Sequence, residues 1–289
     1  MDDLLATALR AAEAAAQVHL IHFERFGVET AREKAQSDFV TQVDLEAQSA
    51  AISVVRHMYP HHRILAEEEQ EGADPKALVI DREWPEYGGH LWIIDPLDGT
   101  TNYLHGHPMF GSSVAVGRLP EGGETSRKNE GLSFFGCLEA GAVVAPRTGE
   151  RWWARRGGGA WKNGKSFSVS SVRSLSKALI GTGFPFKEPE IVPRYAEQLK
   201  RVLPNTGGVR RGGSAALDLC YLAEGMLDGF WEEAYLSPWD SAAGLIILSE
   251  AGGVASRMDG SAIDLENGSI LAGNSNKMME GLQRLLHGS

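Results

Sequence analysis

The spacing of apolar residues predicts two helices near the start of the chain, followed by a series of strands. Apolar residues recur at helical spacing from residue 3 to about 26 and again over 43–59. Thr41 and Asp44 form a capping-box pattern before the second helix, and Pro60 ends it. Four short apolar runs then predict strands, over residues 64–65, 91–94, 112–116 and 141–145.

A different alternation begins near residue 175. Before it, the pair Asn163-Gly164 after a tryptophan-rich segment predicts a hairpin. After it, strands and helices alternate. The predicted strands cover 178–182, a start at 209, 228–233 and 270–273, and the predicted helices cover 190–203, 214–226, 238–251 and 277–286. No linker separates the halves, so we expect one domain over 1–289, with an N-terminal lobe of about 1–174 and a C-terminal α/β lobe of about 175–289.

Composition and charge narrow the class of protein. The chain has 289 residues, of which 43% are apolar and 23% charged, and these values are typical of a globular domain. Its formal net charge is −10, which argues against direct nucleic-acid binding, because such binding depends on lysine and arginine neutralising phosphate. If the ligand is an anion, a cation must lie in the site, and a bound metal ion would serve.

The two cysteines and the chain start point to a reducing compartment. Cys137 and Cys220 lie in apolar surroundings without a CxxC pattern, so we expect both to be buried and reduced. The acidic start does not resemble a signal peptide, and no apolar run approaches the ~18 residues of a membrane span. A cytoplasmic protein is therefore expected, with no membrane contact.

The segment 92–102 carries the sharpest chemical pattern. An apolar strand leads to Asp95, Pro96 is expected to break the strand, and Asp98-Gly99 to make a turn. A tight turn with two exposed aspartates would also produce this pattern. Two carboxylates three residues apart on a sharp turn can, however, hold divalent cations, and Mg²⁺ prefers such oxygen ligands. The amides that follow could open a short helix and bind phosphate.

Three weaker segments remain open between structural and functional interpretations. The acidic run 67–69 follows a predicted strand, although such a run is usually a solvated surface. Asp240 follows Ser237-Pro238 and could simply cap a helix. The small residues 212–216 suit either close approach of a ligand or capping by Ser214. The adjacent pair 210–211 is either a solvated arginine pair, which is favoured, or a second phosphate anchor.

Together these segments resemble the inositol monophosphatase family, a branch of the lithium-sensitive, metal-dependent phosphatases. The resemblance covers nearly the whole chain, and its most specific motif is Asp95-Pro96-Leu97-Asp98-Gly99-Thr100. It also rests on residues 38–44, 66–68, 239–244 and 250–253. It implies an α+β or α/β fold, the layered αβαβα sandwich of the sugar-phosphatase type, usually as a homodimer.

The resemblance also implies residue roles. Two to three Mg²⁺ ions would be held by Glu67, Asp95, the carbonyl of Leu97, Asp98 and Asp240. A metal-activated water would attack phosphorus, with Glu67, Thr100 and Asp44 as catalytic residues. The amides of Gly99 and Thr100 would bind phosphate, and Ala215, Glu233 and Asp240 would contact the sugar or polyol. Glu232 is expected to face the opposite way from Glu233, because side chains alternate along a strand.

Two departures from the family pattern occur beside the predicted metal ligand Glu67. Ala66 replaces the usual glycine, and Glu69 replaces the usual serine. Glu69 adds negative charge near the third, looser ion, which the resemblance implies would use Glu67. Neither change removes a ligand. Lys34 is a loose match to a basic residue that the family places near the metal-binding loop.

The substrate implied is inositol monophosphate, which a phosphoric monoester hydrolase of this family would cleave. Relatives of the same fold hydrolyse fructose 1,6-bisphosphate, histidinol phosphate or a phosphoadenosine phosphate. The pair Thr101-Asn102 resembles the inositol branch, since the nucleotide branch carries Lys-Glu there. A regulatory partner-binding protein is the alternative of another class, because some bacterial members bind transcription components.

Overall fold

The computed structural model describes residues 3–23, 32–35, 38–68, 89–118, 137–186, 188–263 and 268–288. Its helices are α1 (Asp3–His22), α2 (Gln42–Met58), α3 (Thr100–Leu104), α4 (Val192–Val202), α5 (Ala215–Ala223), α6 (Pro238–Glu250) and α7 (Asn276–His287). Its strands are β1 (Arg32–Ala35), β2 (Asp38–Val40), β3 (Arg63–Ala66), β4 (His90–Asp98), β5 (Gly111–Arg118), β6 (Leu138–Ala145), β7 (Glu150–Arg155), β8 (Ala160–Lys162), β9 (Lys165–Phe167), β10 (Leu179–Thr182), β11 (Gly208–Arg210), β12 (Gly229–Leu236), β13 (Val254–Ser256) and β14 (Gly268–Gly273).

The described strands form two large sheets and a short hairpin. The first sheet has seven strands in the order β3-β4-β5-β6-β7-β8-β9, and only the β3–β4 pair is parallel. The second has five strands in the order β11-β10-β12-β14-β13. In it β10 runs parallel to both of its neighbours, and the other pairs are antiparallel. Strands β1 and β2 form an antiparallel pair.

Helices cover the sheets in layers. Buried residues of α1 and α2 form one core with the first sheet. Helices α5 and α6 lie between the two sheets, because their side chains share a core with residues of both. Helices α4 and α7 cover the outer face of the second sheet. The fold is therefore the layered αβαβα sandwich that the sequence predicts.

Strand β4 shows how one strand serves two layers. Trp92 and Ile94 are fully buried against α1 and α2, whereas Leu91 and Ile93 point into the core shared with α5 and α6. This alternation follows the two-residue period of a strand. Because both faces are covered, the strand reads as a continuous apolar run in the sequence.

The central helices are packed unusually close to their neighbours. A Cβ atom added at Gly244 of α6 would lie 2.7 Å from Cβ of Leu219 in α5. One added at Gly141 of β6 would lie 2.7 Å from Cγ2 of Ile246 in α6. Real Cβ atoms do not tolerate such contacts, so these two glycines set the spacing of the central layer.

Capping residues fix the starts of α2 and α6. Thr41 accepts from the amides of Val43 and Asp44, and the Asp44 carboxylate binds the Thr41 amide, so the predicted capping box is confirmed. The same reciprocal pair joins Ser237 and Asp240. The predicted starts of these helices were close because capping depends only on local residues.

Pro96 does not end the strand as predicted. Strand β4 continues through it to Asp98, and the pairing with β5 shifts register between Asp95 and Asp98. The extra residue there forms a β-bulge, where a proline without an N–H is tolerated. The bulge turns both aspartates toward the interior.

Some predictions differ from the structure or lie beyond its described residues. Helix α1 ends at His22 rather than near residue 26, and residues 24–31 lie outside the described ranges. Glu69 and the side chain of Lys34 also lie outside the description. Cys220 is buried as expected, but Cys137 is only half-buried, and both thiols are free. Among the described residues, no helix is both long and apolar enough to cross a membrane.

A buried histidine holds α1 against the bulge. His19 is fully buried and donates from Nε2 to the Pro96 carbonyl oxygen at 2.8 Å. Its ring lies 6.0 Å from that of Tyr103 and 5.8 Å from that of Phe110, centroid to centroid. Burial lowers the pKa of His19 from 6.5 to about 4, although the Pro96 hydrogen bond opposes the shift.

We predict that His19 stays neutral far below its usual titration range. Since its folded pKa is depressed, the unfolded chain binds the extra proton, and stability falls as pH falls from about 6.5 toward 4. The loss should reach about 3 kcal/mol at pH 4. NMR titration of the His19 ring should show no protonation above pH 5, and His19→Gln should flatten the decline between pH 6.5 and 5. A His19 midpoint near 6.5 would contradict the prediction.

Candidate functional site

Three aspartates meet at the end of β4. Oxygen atoms of Asp95, Asp98 and Asp240 all lie within 4.8 Å of one another. Asp95 and Asp98 lie on either side of the β4 bulge, and Asp240 comes from the first turn of α6. Asp95 is 1% exposed and Asp98 8%, so two of the three charges are out of contact with bulk water.

Glu67 joins this cluster from the neighbouring parallel strand. Its amide donates to the carbonyl oxygen of Ile94 at 3.2 Å, which continues the β3–β4 ladder by one residue. Parallel strands bring their carboxyl ends to the same edge of a sheet, so Glu67 and Asp95 become neighbours. Both line the same cavity.

Burial and repulsion make this cluster electrostatically unfavourable without a cation. Burial raises the pKa of Asp95 well above its usual range, and the charges of Glu67, Asp98 and Asp240 raise it further. Burial also raises the pKa of Asp98 to about 6, although hydrogen bonds from Ser214 and Ala216 oppose this shift. Because the ligands in the cluster are all carboxylate oxygens, without His or Cys, the donor set fits Mg²⁺.

The start of α5 binds Asp98 directly. Ser214 donates its hydroxyl to Asp98 Oδ2, and the Ala216 amide donates to the same oxygen at 2.8 Å. The Ala215 amide also hydrogen-bonds Asp98. Ser214 accepts from the Leu217 amide at 3.3 Å, so capping and site construction coincide in one residue.

Thr100 and Asp44 form a second polar pair below the cluster. Thr100 Oγ1 lies 3.3 Å from Asp44 Oδ1 and 3.1 Å from the Leu97 carbonyl oxygen, so its single proton has two acceptors. Asp44 is fully buried, and its other oxygen accepts from the Thr41 amide and hydroxyl. The capping box of α2 thereby fixes the carboxylate that faces Thr100.

Gly99 is required at the turn between the strand and α3. Its φ is +90°, and an added Cβ would lie 2.9 Å from the Met109 carbonyl oxygen. A side chain would therefore be strained and would also clash. Asn102, one turn later, donates to the carbonyl oxygens of Met109 and Gly212 at 2.6 and 2.9 Å. This side chain ties the turn to the segment that precedes α5.

These residues surround one cavity of about 380 Å³. Its walls come from both sheets and from α5 and α6. The predicted residues that line it are Glu67, Asp95, Leu97, Asp98, Gly99, Thr100, Ala215 and Asp240. Asp44 is not among the described lining residues, but it accepts a hydrogen bond from Thr100, which is.

The structure reverses the expected facing of two glutamates. Glu232 lines the cavity, and a Cβ added at Gly183 would overlap its carboxylate. Glu233 points toward α4, where it accepts from Gln198 Nε2 at 2.8 Å and pairs with Arg194 at 2.9 Å. The two side chains point to opposite faces of β12, as predicted. Which of them faces the cavity could not be read from the sequence, because the pairing of β12 shifts register after Glu232.

Besides Glu232, two charged residues that line the cavity, Asp218 and Arg211, were not among the predicted site residues. Asp218 is 4% exposed, and burial raises its pKa well above the usual range, with Glu232 adding to the shift. The sequence could have indicated a role for Asp218, since it is the single charged residue of the otherwise apolar helix α5 and charged residues are seldom buried. Arg211 also lines the cavity, and it is exposed, as the favoured solvated interpretation predicts.

Comparison with known proteins places the chain in a family. The model of the inositol monophosphatase family matches residues 1–123 and 131–289. The chain belongs to the inositol monophosphatase family. It is 39% identical over 282 residues to a Pseudomonas aeruginosa protein named Nus factor SuhB, covering 95% of this chain and 92% of that one. It is also 39% identical over 243 residues to the Rhizobium meliloti inositol-1-monophosphatase, covering 83% and 80%.

Solved structures of the family share the fold. The extragenic suppressor protein suhB from Bartonella henselae superposes with a TM-score of 0.81 at 31% identity, covering 99% of this chain and 98% of that one. The Thermotoga maritima IMPase superposes with a TM-score of 0.79 at 28% identity, with the same coverage of 99% and 98%. The relatives thus include both proteins named inositol-1-monophosphatase and proteins named Nus factor SuhB.

We predict that neutralising Asp95 stabilises the protein in chelator. Asn at 95 keeps an acceptor for the Leu97 amide, which now binds Asp95 Oδ1 at 3.0 Å, but removes one buried charge from the cluster. Because the folded pKa of Asp95 is raised, its ionised form opposes folding at high pH and ceases to do so as the group is protonated.

The gain should be on the order of 1 kcal/mol at pH 8, or about 2–4 °C in melting temperature, and should shrink toward pH 5. Differential scanning calorimetry in EDTA measures it. Asp259→Asn changes the net charge equally at an exposed position and serves as the control. A lower melting temperature for Asp95→Asn at pH 8 would mean that the aspartates do not repel one another.

Proposed function

We propose that the protein is a Mg²⁺-dependent phosphoric monoester hydrolase that acts on inositol monophosphate. The observation that carries this proposal is the meeting of Asp95, Asp98 and Asp240 beside the Thr100–Asp44 pair in one cavity. The match to the inositol monophosphatase family and the relatives named as inositol-1-monophosphatases support it.

The carboxylates would hold two to three Mg²⁺ ions. Asp95, Asp98 and Asp240 would hold one, and Glu67, Asp95 and the Leu97 carbonyl would hold another. When bound, Mg²⁺ would neutralise phosphate charge, activate water and stabilise the leaving oxygen. The net charge of −10 supports bound metal ions, since a negatively charged protein needs a cation in its site to bind an anionic substrate.

The Thr100–Asp44 pair would accept the proton of the attacking water. Thr100 Oγ1 would accept that proton and pass its own to Asp44 Oδ1, which lies 3.3 Å away. Asp44 is prepared for this role, because the Thr41 donors fix its other oxygen. The amides of Gly99 and Thr100, at the turn between β4 and α3, would bind the phosphate.

The leaving group would occupy the far side of the cavity. Asp240 and the backbone at Ala215 border it, and Glu232 extends into it from β12. A carboxylate that accepts from a sugar hydroxyl gives a strong hydrogen bond in a desolvated site. We therefore assign to Glu232 the polyol contact expected of Glu233.

The names of several relatives support a second candidate function. Proteins named Nus factor SuhB are among the most similar relatives, including one 39% identical to this chain. A role as a regulatory partner-binding protein, without catalysis or beside it, is the corresponding proposal. Metal-dependent phosphate release would exclude a regulatory role without catalysis. A homodimer, a cytoplasmic location and inhibition by lithium stay predictions from the family resemblance.

The first test is phosphate release from inositol 1-phosphate, measured with and without metal. Protein treated with chelator should release none, Mg²⁺ should restore the activity, and Ca²⁺ and Li⁺ should inhibit it. Asp240→Asn keeps an acceptor for the Ser237 amide but loses the charge, so turnover should fall by about 100-fold or more. Full activity after exhaustive chelation would refute the proposal. Fructose 1,6-bisphosphate and histidinol phosphate, assayed in parallel, rank the alternatives.

The second test compares two adjacent glutamates. Glu232→Gln should raise KM for inositol 1-phosphate about tenfold, because a charged hydrogen bond contributes about 1.5–3 kcal/mol. Its Mg²⁺ requirement should not change. Glu233→Gln is the matched control and should change KM less than twofold, since its partners are Gln198 and Arg194. A larger effect for Glu233→Gln would return the polyol contact to that residue.

A further inference from the structure

His19 of α1 is a fully buried polar side chain behind the aspartate cluster. Its Nε2 lies 2.8 Å from the Pro96 carbonyl oxygen. Since a carbonyl oxygen can only accept, the proton of the neutral ring lies on Nε2. Nδ1 is buried and has no hydrogen-bond partner among the described residues. An unpartnered buried nitrogen costs stability, and an apolar side chain of similar size would avoid that cost. What this histidine supplies is therefore its hydrogen bond to Pro96.

The Pro96 carbonyl lies in the β4 bulge between two of the proposed metal ligands. Strand β4 pairs with β5 at Asp95 and again at Asp98, and the register shift between them leaves Pro96 out of this ladder. A buried carbonyl in such a position requires a donor from another element. The donor comes from α1, so a distant helix fixes the conformation of the bulge.

The same peptide group transmits the contact from His19 to Asp95. In a trans peptide, the carbonyl and the N–H of the next residue point in opposite directions, and the described residues contain no cis peptide. The Pro96 carbonyl is held toward α1, and the Leu97 amide on the other side donates to Asp95 Oδ1 at 3.0 Å. Hydrogen bonds linked in this way strengthen one another. His19 thus acts on the Asp95 carboxylate through one peptide plane.

The position of the imidazole ring is itself fixed. It packs against the rings of Tyr103 and Phe110, and the Tyr103 hydroxyl donates to the His19 carbonyl oxygen at 3.2 Å. Tyr103 belongs to α3, which begins at Thr100. One residue of α1 therefore contacts both the bulge that carries the aspartates and the short helix that follows it.

We infer that His19 is a positioning residue for the metal site, which orients the Asp95 carboxylate toward Mg²⁺ by holding the Pro96–Leu97 peptide. This inference rests on the proposed function, in which Asp95 is a ligand of two ions. Removing a group that orients a metal ligand typically weakens metal binding by roughly 10–100-fold. His19 acts through a peptide rather than on the ligand directly, so we expect an effect of about tenfold.

The test measures the Kd for Mg²⁺ by isothermal titration calorimetry, at a temperature where every variant is folded. His19→Leu removes the donor and should raise Kd about tenfold. His19→Gln retains an N–H donor near the position of Nε2 and should restore Kd to within about threefold of wild type. Phosphate release should show the same split: the Mg²⁺ concentration for half-maximal rate should rise in His19→Leu, and kcat at saturating Mg²⁺ should change less.

Ser112→Ala is the matched control. It removes another buried hydrogen bond to α1, from Ser112 Oγ to the Ala12 carbonyl oxygen at 2.6 Å, and Ser112 lies outside the bulge. It should lower the melting temperature and leave Kd for Mg²⁺ unchanged. If His19→Leu also lost stability without a change in Kd, the role of His19 would be structural and the inference would be overturned. Equal losses of affinity in His19→Leu and His19→Gln would overturn it as well.

A measurement on the wild-type protein decides the case if His19→Leu does not fold. The NMR resonance of the His19 Nε2 proton should shift as Mg²⁺ is added, with the Kd that calorimetry gives, because the ion polarises the hydrogen bonds that lead from Asp95 to the ring. An unshifted resonance at saturating Mg²⁺ would overturn the inference and leave the phosphatase function standing. If wild type bound no Mg²⁺, the proposed function would fail, and the inference with it.

Discussion

Repulsion among buried carboxylates governs the centre of this molecule. Asp95 and Asp98 come from one strand, yet a bulge turns both toward Asp240, and burial prevents water from screening them. Hydrogen bonds offset part of this repulsion, since the Ser214 hydroxyl and the amides at the start of α5 all donate to Asp98. The remaining negative potential would favour a divalent cation, in line with the proposed function.

The residues of the site come from both sheets, so the site can form only when the whole domain is folded. Glu67 and Asp95 belong to the first sheet, Glu232 to the second, and Asp240 and Ser214 to the helices between them. No single segment contains the chemistry.

Local sequence patterns were sufficient to predict the starts of two helices and the aspartate cluster. The capping boxes at Thr41 and Ser237 placed α2 and α6, and the Asp95–Asp98 motif with its family resemblance identified the cluster that the structure brings together. Features that depend on register or tertiary burial were missed. Pro96 was expected to end β4, because a bulge is set by pairing with β5, and the facing of Glu232 depends on a register shift in β12. Arg211 is exposed, as favoured from the sequence, but nothing in its local sequence shows its contacts with Phe184 and Phe186 at the cavity.

The close approach of Gly141 and Gly244 to their neighbours has a consequence for how such a protein can diverge. Neither of these two positions in the central layer tolerates an added Cβ, and the helices that carry Asp240 and Ser214 belong to this layer. The exposed faces of α1, α2, α4 and α7 carry no such restriction. Related proteins can thus acquire new binding surfaces on the outer helices while the interior site is kept. One scaffold can in this way serve both as an enzyme and as a binding partner.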